Sequence, residues 1–498
     1  MIERRPECLA EGPFDLVVVG GGIYGVMLSL ESSRRGLRAA LLEREDFGGA
    51  TTWNSLRIVH GGLRYLQRLD LARHRESAAE RAWLLDDFAD LVQPLPCLMP
   101  LYGDGLRRPM VLQAALAVDG ILTRRAARTG DGSPGGSREG LLAGRVLSPE
   151  ETIARFPAVS QRGLAGAAWW FDAVVPDSHR LVVEALRWAA VGGAVVVNRC
   201  EARELLVEGG SARGVLARDL ERRQDLEVRA PLVVNCAGPW VRELATRLDR
   251  DVPDLLHSSL AFNLLLDRSP PADCALAVAP GPGEPTYFLQ PWKGMLLAGT
   301  VHVRCVPGDE SGPPLPPRTS DVSAFLGDLE RAVPGLEVGP ENVLRVLWGR
   351  LPARRSGSTQ LATRPRIVEH RALGGSAGLW SVSGVKLTTA RAVAEETLRR
   401  AFAARDAPLP ARIDLPRPQP ACWPNRQELE SLLERDPHRA RELVERIRTE
   451  EAALHLDDLL LRRTDWGIDP RVACRLGPRI AALLDWPPPA ASADERSP

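Results

Sequence analysis

The stretch FDLVVVGGGIYG, residues 14–25, decides the fold class of this chain. Its apolar run Leu16–Val19 predicts a short buried strand, and the glycines that follow predict a tight turn into a helix ending near Arg35. Residues 38–42 (RAALL) predict a second strand. Because the turn of such a strand–helix–strand unit is where parallel sheets bind ligands, the stretch predicts an α/β, Rossmann-like domain.

The glycines fit the pattern G-x-G-x-x-G, with Ile23 and Tyr24 between the second and third. Gly20 permits the tight turn, Gly22 lets a pyrophosphate approach the backbone, and Gly25 lets the helix pack closely on the strand. The helix N-terminus adds free N–H donors and partial positive charge. The turn therefore predicts a phosphate-binding cradle.

Glu43 ends the second strand, where a carboxylate accepts hydrogen bonds from a ribose diol. The alternative is a solvated surface acid beside a glycine-rich turn in a ligand-free α/β fold. With strand, helix, second strand and acid in register, we interpret the unit as a dinucleotide site.

Composition excludes several other classes of function. The chain has 498 residues, enough for two or three domains. Its 64 basic residues balance 64 acidic ones, so the protein has no net positive charge that would attract nucleic acid. The eight cysteines are scattered without a CxxC pair, which argues against a metal site and for reduced thiols. With no signal peptide and no run of roughly 18 apolar residues, we expect a cytoplasmic protein.

Two distant segments favour FAD over NAD as the dinucleotide. VVNCAGPWV (233–241) and SVSGVKLTTA (381–390) each predict a strand, a turn and a helix. A classical NAD site lies in one contiguous domain, whereas the turn at Gly384 could present N–H groups to the electron-rich edge of a reduced flavin. The alternative is two ordinary turns of an α/β sheet.

The remaining patterns predict the layout of the chain. Alternation over 260–303 predicts an antiparallel sheet, and residues 425–485 predict amphipathic helices. Further expectations are helices over 71–93, 147–156 and 179–191, a strand over 194–198, loops over 129–140 and 306–318, and a helix from about Thr388.

Five motifs together resemble the FAD-dependent glycerol-3-phosphate dehydrogenase family: VVVGGGIYG, HGGLRYL, NCAGPWV, SGVKLTTAR and LDDLLLRRTDWG. They follow the family's order over nearly the whole chain. The resemblance implies FAD extended over one domain with a substrate domain above the flavin. It also implies hydride transfer from a secondary alcohol to flavin, with electrons passing to a quinone at a membrane surface or to oxygen. Peripheral membrane contact and a homodimer are further expectations.

We therefore expect an α/β fold with three parts and a tail. The predicted ranges are 14–70, 145–250 and 345–405 for a discontinuous FAD-binding domain of glutathione-reductase type, 71–144 and 251–344 for an antiparallel-sheet substrate domain, 406–424 for a proline-rich linker, 425–485 for a helical C-terminal domain, and 486–498 for a tail.

The resemblance assigns cofactor contacts position by position. They cover the ADP half, the pyrophosphate, the adenine and the pyrimidine edge of the flavin. The predicted cofactor-binding residues are Gly20, Gly22, Ile23, Tyr24, Gly25, Glu43, Thr51, Thr52, Ser55, Gly62, Ala202, Ala237, Gly238, Gly384, Lys386, Leu387 and Thr388.

The resemblance also assigns residues to the substrate. Arg64 and Tyr65 match positions beside it, where a guanidinium grips a phosphate bidentately. Lys386 would stabilise negative charge on the reduced flavin or on an alkoxide. His60 and His302 are candidate bases. A backbone-bonding role for His60 and an ordinary strand position for His302 are the alternatives.

The substrate-facing positions depart from the family pattern. Arg57 replaces a lysine, which keeps the charge, and Asn263 stands where a histidine is expected and cannot transfer a proton. The family's substrate-binding arginine falls on Leu351 when the glycine and proline of LWGRLP are aligned, and on Arg350 with a one-residue slip. We favour loss of that contact, because a slip of one residue turns a strand side chain to the other face. Arg354 and Arg355 could compensate.

Three functions stay open on the sequence alone. The default is oxidation of glycerol 3-phosphate to dihydroxyacetone phosphate by a flavoenzyme. The second is a specialised flavin oxidase or dehydrogenase of another hydroxy or amino compound, which the departures in the pocket favour. The third is a non-catalytic flavin-binding scaffold.

Overall fold

The computed structural model describes residues 1–66, 70–103, 108–129, 144–305 and 315–486, with the backbone alone at residues 64, 66 and 121–129. The predicted tail apart from Trp486, and most of the two predicted loops, 129–140 and 306–318, lie outside the described residues. So does the side chain of Arg64, whose backbone belongs to a short helix.

The described chain alternates strands and helices. The strands are β1 Leu16–Val19, β2 Ala39–Leu42, β3 Ile58–Val59, β4 Gln93–Leu101, β5 Arg145–Leu147, β6 Gly166–Val174, β7 Val195–Val197, β8 Cys200–Glu208, β9 Ser211–Asp219, β10 Gln224–Arg229, β11 Val233–Asn235, β12 Ser258–Leu266, β13 Ala275–Val278, β14 Tyr287–Trp292, β15 Met295–Arg304, β16 Val343–Pro352, β17 Arg366–Glu369 and β18 Leu379–Ser383. The helices are α1 Ile23–Ser33, α2 Leu63–Leu66, α3 Leu71–Asp87, α4 Pro109–Thr129, α5 Pro149–Arg155, α6 Ser178–Val191, α7 Val241–Leu248, α8 Thr319–Ala332, α9 Ala390–Ala403, α10 Arg426–Arg435, α11 Pro437–Glu450 and α12 Pro470–Leu483.

A six-stranded sheet carries the glycine-rich turn, in the order β17-β18-β11-β1-β2-β7. Its strands are parallel except at the β17–β18 edge. All four residues of β1 are buried, because helices α1, α6 and α9 cover one face and the β8–β9–β10 sheet with α7 covers the other. The predicted Rossmann-like α/β fold is confirmed.

A nine-stranded sheet forms the second layer, in the order β16-β12-β15-β14-β13-β4-β6-β3 with β5 paired to β6. The antiparallel pairing predicted over 260–303 is present in β12–β15. Strands β3, β6 and β16 also join this sheet, although the sequence assigned their segments to the cofactor domain. The exact domain boundaries stay a prediction.

Several elements differ from the sequence expectation. The helix predicted over 71–93 ends at Asp87, and residue 93 begins β4, whose sequence QPLPCLMPL has three prolines. Proline removes a ladder donor, so a proline-rich run is a poor strand signal.

The predicted helix over 147–156 forms as α5, with Ser148 and Glu151 in a capping box and Pro149 at the first position.

The C-terminal helices have their own apolar core, built from α10, α11, α12 and a π-helical segment, Asp458–Arg463. The proline-rich segment 406–424 that precedes them contains no regular element. Among the described residues, no helix combines the length and the apolar character needed to cross a bilayer.

A buried ion network joins the π-helical segment to the loop after β2. Arg463 donates two hydrogen bonds to Asp46, at 2.8 and 2.7 Å, and both side chains are almost fully buried. Arg462 bridges Asp46 and Asp458 at 2.8 Å each, and Arg199 reaches Asp458 at 2.9 Å. These bonds hold the C-terminal helices against the segment that carries Glu43 and the threonines.

We expect Arg463→Ala to lower the free energy of unfolding by about 3–5 kcal/mol, because the buried Asp46 carboxylate loses the two hydrogen bonds and the positive charge of this guanidinium. Urea unfolding measures the change. The matched control is Arg229→Ala, whose exposed ion pair with Glu227 should contribute less than about 1 kcal/mol. Equal losses in the two variants would contradict a special role for the buried network.

Candidate functional site

One large cavity, about 2600 Å³, lies between the two sheets and reaches the C-terminal helices. It brings together nearly all the residues that the sequence selected. The predicted site residues that line it are Gly20, Gly22, Ile23, Tyr24, Glu43, Thr51, Thr52, Ser55, His60, Gly62, Tyr65, Ala202, Ala237, Gly238, Asn263, His302, Arg350, Gly384, Lys386, Leu387 and Thr388. Gly25 is described but does not line the cavity.

The glycine turn is held by backbone-to-backbone contacts that leave no room for side chains. Gly20 has a φ of 112°, and a Cβ added there would lie 2.6 Å from the Cys236 carbonyl oxygen. A Cβ at Gly25 would lie 1.9 Å from the Gly20 carbonyl oxygen. Gly25 therefore serves the packing of α1 on β1, and the N-terminus of α1 opens on the cavity.

The Glu43 carboxylate lies beside this turn at the end of β2. It accepts hydrogen bonds from the backbone N–H of Gly21 at 2.6 Å and of Glu45 at 2.7 Å. Burial raises the pKa of Glu43. A carboxylate offers about four acceptor positions, so capacity is left for a ribose, and Glu43 fits the predicted role rather than that of a solvated surface acid.

The loop after β2 fits against both the first helix and the second sheet. Thr52 Oγ1 accepts a hydrogen bond from the Ile23 N–H at 3.1 Å, and Thr51 Oγ1 donates to the Arg350 carbonyl at 3.3 Å. Within the described chain, the Ser55 hydroxyl is buried without a hydrogen-bond partner. A buried orphan hydroxyl in the predicted pyrophosphate and flavin loop suits a bound polar group.

Tyr24 joins the glycine turn to the distant turn at 384–388. Its hydroxyl donates to the Lys386 carbonyl at 2.7 Å and accepts from the Lys386 N–H at 2.8 Å. A Cβ on Gly384 would lie 1.8 Å from the Tyr24 ring, so only glycine fits there. Burial raises the pKa of Tyr24, which keeps the hydroxyl protonated. The sequence placed Tyr24 at the cofactor but did not reveal this link.

His60 is held by a carboxylate that the sequence analysis missed. Its Nδ1 lies 2.9 Å from Asp172 Oδ2, while the Gly61 N–H donates to Asp172 Oδ1 at 2.7 Å and Arg81 lies 3.6 Å away. Burial alone would raise the pKa of Asp172, but the hydrogen bond with His60 and the nearby charge of Arg81 lower it overall. About half of the His60 side chain is exposed.

This geometry corrects the backbone-bonding alternative for His60, because its partner is a side-chain carboxylate. With Nδ1 held by Asp172, Nε2 is the ring nitrogen available to a ligand in the cavity. The missed signal was an acid inside the apolar strand GAAWWFDAV, since a buried aspartate is rarely without a partner.

Tyr65 supports a cationic group beside the 384–388 turn. The Lys386 Nζ lies 4.0 Å from the centroid of the Tyr65 ring, and the Arg73 guanidinium carbon lies 4.8 Å from it. Asp70 caps α3 and pairs with Arg73 at 2.5 Å. Lys386 belongs to the 384–388 turn and lines the cavity. Its ammonium group therefore places a positive charge at the predicted anion site.

Asn263 is engaged within the protein. Its Nδ2 donates to the Asn54 carbonyl at 2.8 Å, and its Oδ1 accepts from Thr300 Oγ1 at 2.8 Å. A Cβ on Gly299 would lie 2.0 Å from that Oδ1. The amide thus fixes the irregular pairing of β12 with β15, while His302 lies opposite Ala261 on the next strand and lines the cavity.

The register of β16 separates Arg350 from Leu351. Gly349 and Leu351 pair with Ala261 and Ser259, on the sheet face that carries Asn263, whereas Arg350 pairs with Leu260 on the alternate face. A Cβ on Gly349 would lie 2.8 Å from Thr51, which identifies its face as the one towards the cofactor loop. Arg350 is nevertheless buried and also lines the cavity, as Leu351 does, so loss of the family's arginine contact stays a prediction.

Three strand–turn–helix units, an acid and a threonine loop around one cavity define a dinucleotide-binding oxidoreductase fold. Comparison with known proteins narrows this class. A family model described as FAD dependent oxidoreductase (DAO) matches residues 15–400.

Relatives agree with that match. The chain is 30% identical to glycerol-3-phosphate dehydrogenase 1 of Mycobacterium bovis, over 92% of each chain. It is 32% identical to alpha-glycerophosphate oxidase of Lactococcus lactis, over 55% of this chain and 42% of that one, so it spans less than half of that relative. The crystal structure of glycerol-3-phosphate dehydrogenase from Bacillus halodurans complexed with FAD is similar in fold, with a TM-score of 0.68, 19% identity and coverage of 98% and 95%. The chain belongs to the DAO family of FAD-dependent oxidoreductases, and its cofactor is FAD.

We expect Gly384→Ala to weaken FAD binding roughly 5- to 150-fold, because the new methyl group displaces Tyr24 from the 384–388 turn and overpacking of this kind costs about 1–3 kcal/mol. The flavin-to-protein absorbance ratio after gel filtration measures retention. Gly327→Ala is the matched control, since a Cβ there meets nothing within 4 Å. FAD content equal to that of the control would contradict a role of the 384–388 turn in FAD binding.

Proposed function

We propose that this protein is an FAD-dependent dehydrogenase or oxidase of a small anionic hydroxy compound. The observation that carries the proposal is the His60–Asp172 pair facing the cavity next to the cofactor turns. Membership of the DAO family supports the redox class. A paired, half-exposed imidazole beside a flavin site argues against a non-catalytic scaffold.

The described side chains support a simple division of labour. FAD, which the Gly20–Gly25 turn, Glu43 and the 384–388 turn would hold, would supply the hydride acceptor. His60 takes the hydroxyl proton on Nε2, and Asp172 orients the imidazole and stabilises its positive form. Lys386, beside Tyr65, attracts the anionic group or the developing alkoxide. Arg64 and Tyr65 keep their predicted substrate roles.

Glycerol 3-phosphate is the first substrate to test, because relatives at about 30% identity are described as glycerol-3-phosphate dehydrogenase and alpha-glycerophosphate oxidase. The same two names support oxygen or another acceptor, such as a quinone, for the electrons. A second candidate, a different hydroxy or amino compound, is favoured by the engaged Asn263 amide and by Leu351 on the inward face. Cytoplasmic location, peripheral membrane contact and a homodimer stay predictions.

We expect His60→Asn to reduce the rate of flavin reduction by about 10²–10⁴-fold with little loss of bound FAD, because general-base catalysis contributes that much. Anaerobic stopped-flow bleaching with the best substrate measures the rate. His438→Asn on α11 is the control, since that imidazole is almost fully exposed. An unchanged rate in His60→Asn would remove His60 as the base.

The Asp172→Asn variant separates positioning from proton transfer. It should slow reduction less than His60→Asn, because the imidazole remains as base but loses the negative charge that stabilises its positive form. A rate of flavin reduction equal to that of the unmodified enzyme would show that Asp172 has only a structural role.

A further inference from the structure

An apolar wall borders the His60 imidazole inside the cavity. Its members belong to one packed cluster and also line the cavity, and we name them the apolar wall: Ile58, Leu63, Met99, Trp170, Ala277 and Phe288. The His60 and Phe288 rings are 4.9 Å apart at 57°. The candidate base therefore lies beside an apolar surface.

The strand pattern explains why the wall and the catalytic pair meet. Trp170 and Asp172 are two residues apart on β6, so they lie on the same face of the sheet. Ala277 pairs directly with Phe288 across β13 and β14. The wall is thus built into the same sheet face that holds the His60 carboxylate partner, and it does not depend on a loose loop.

Two of the predicted substrate-facing positions are engaged within the protein or apolar. The Asn263 amide donates to Asn54 and accepts from Thr300, and Leu351 lies on the β16 face towards Thr51, while the buried Arg350 also lines the cavity. His60 and Lys386 are the groups that our proposal assigns to the reacting hydroxyl and to the anion. A phosphate ester of glycerol would leave its small polar body against Trp170, Met99 and Phe288.

We propose that the substrate is an anionic hydroxy compound that carries an apolar substituent beside its carbinol carbon. This inference rests on the proposed function and names the substrate class of that site. The hydroxyl lies at His60, the carboxylate or phosphate at Lys386, and the apolar substituent against the wall. The carbinol C–H leaves as a hydride to FAD and the O–H proton goes to His60, so the product is the matching ketone and FAD is reduced by two electrons.

The test is anaerobic flavin bleaching of the FAD-loaded enzyme with two series of probes. The carboxylates are lactate, 2-hydroxybutanoate, 2-hydroxyhexanoate and 3-phenyllactate, and the phosphates are glycerol 3-phosphate and 2-hydroxyhexyl phosphate. Each buried methylene should raise the second-order rate constant for reduction about fourfold. The comparison between series shows which anion the site takes.

A variant pair tests whether the wall causes the trend. Phe288→Asn should remove most of the gain with chain length, and the readout is the slope of the logarithm of the rate constant against the number of methylenes, not the rate with any one probe. Val322→Asn on α8 is the matched control, because Val322 is also half-buried and lines the cavity outside the wall. The control should keep the full trend.

The outcomes separate this inference from the proposed function. Fastest bleaching by glycerol 3-phosphate, with no gain from longer substituents, would overturn the apolar substrate and leave the hydroxy-compound oxidoreductase intact. If dithionite bleaches the flavin but none of the hydroxy compounds does, the proposed function fails. In that case binding of butanoate, hexanoate and 3-phenylpropanoate, followed by the flavin spectrum, decides: rising affinity supports the wall, and flat affinity overturns it.

Discussion

The close approach of backbone atoms at the glycine turn is the constraint on which the rest of the site depends. Gly25 lies against the Gly20 carbonyl, and Gly20 lies against Cys236 at the end of β11. Three elements therefore meet with no side chain between them. This contact directs the N-terminus of α1 at the cavity, and Tyr24, one residue before Gly25, then reaches the 384–388 turn. The first turn of α1 thus positions both the glycine turn and the 384–388 turn of the predicted cofactor site.

The second sheet and the C-terminal helices act on this site through the same short segment. The loop between β2 and β3 is held by Arg463 and Arg462 through Asp46 at one side, and by the carbonyls of β16 through Thr51 and Asn54 at the other. The loop cannot move without breaking buried charge pairs or strand contacts. Cofactor binding and the substrate-facing sheet are therefore mechanically linked, although their residues are far apart in sequence.

Local patterns were good predictors where one segment contained all the needed information. The first strand, the turn, α1, Glu43 and α5 follow from short-range chemistry, and the structure has them close to the expected positions. Strand β4 was not predicted because its prolines are poor strand formers, yet pairing with its neighbours β6 and β13 stabilises it. Likewise, no local signal places β6 and β16 in the second sheet, because strand pairing is a property of distant partners.

The sequence by itself determined the fold class, because a phosphate-binding turn and its acid lie within one strand–helix–strand unit, and its motifs identified FAD as the cofactor. The individual residues that contact FAD stay a prediction. Only the tertiary structure decided which groups face the substrate. It paired His60 with Asp172 across 112 positions, occupied the Asn263 amide, and set Gly349 and Leu351 on the β16 face towards Thr51. These outcomes depend on strand register and on contacts between distant segments, which no short stretch of sequence encodes.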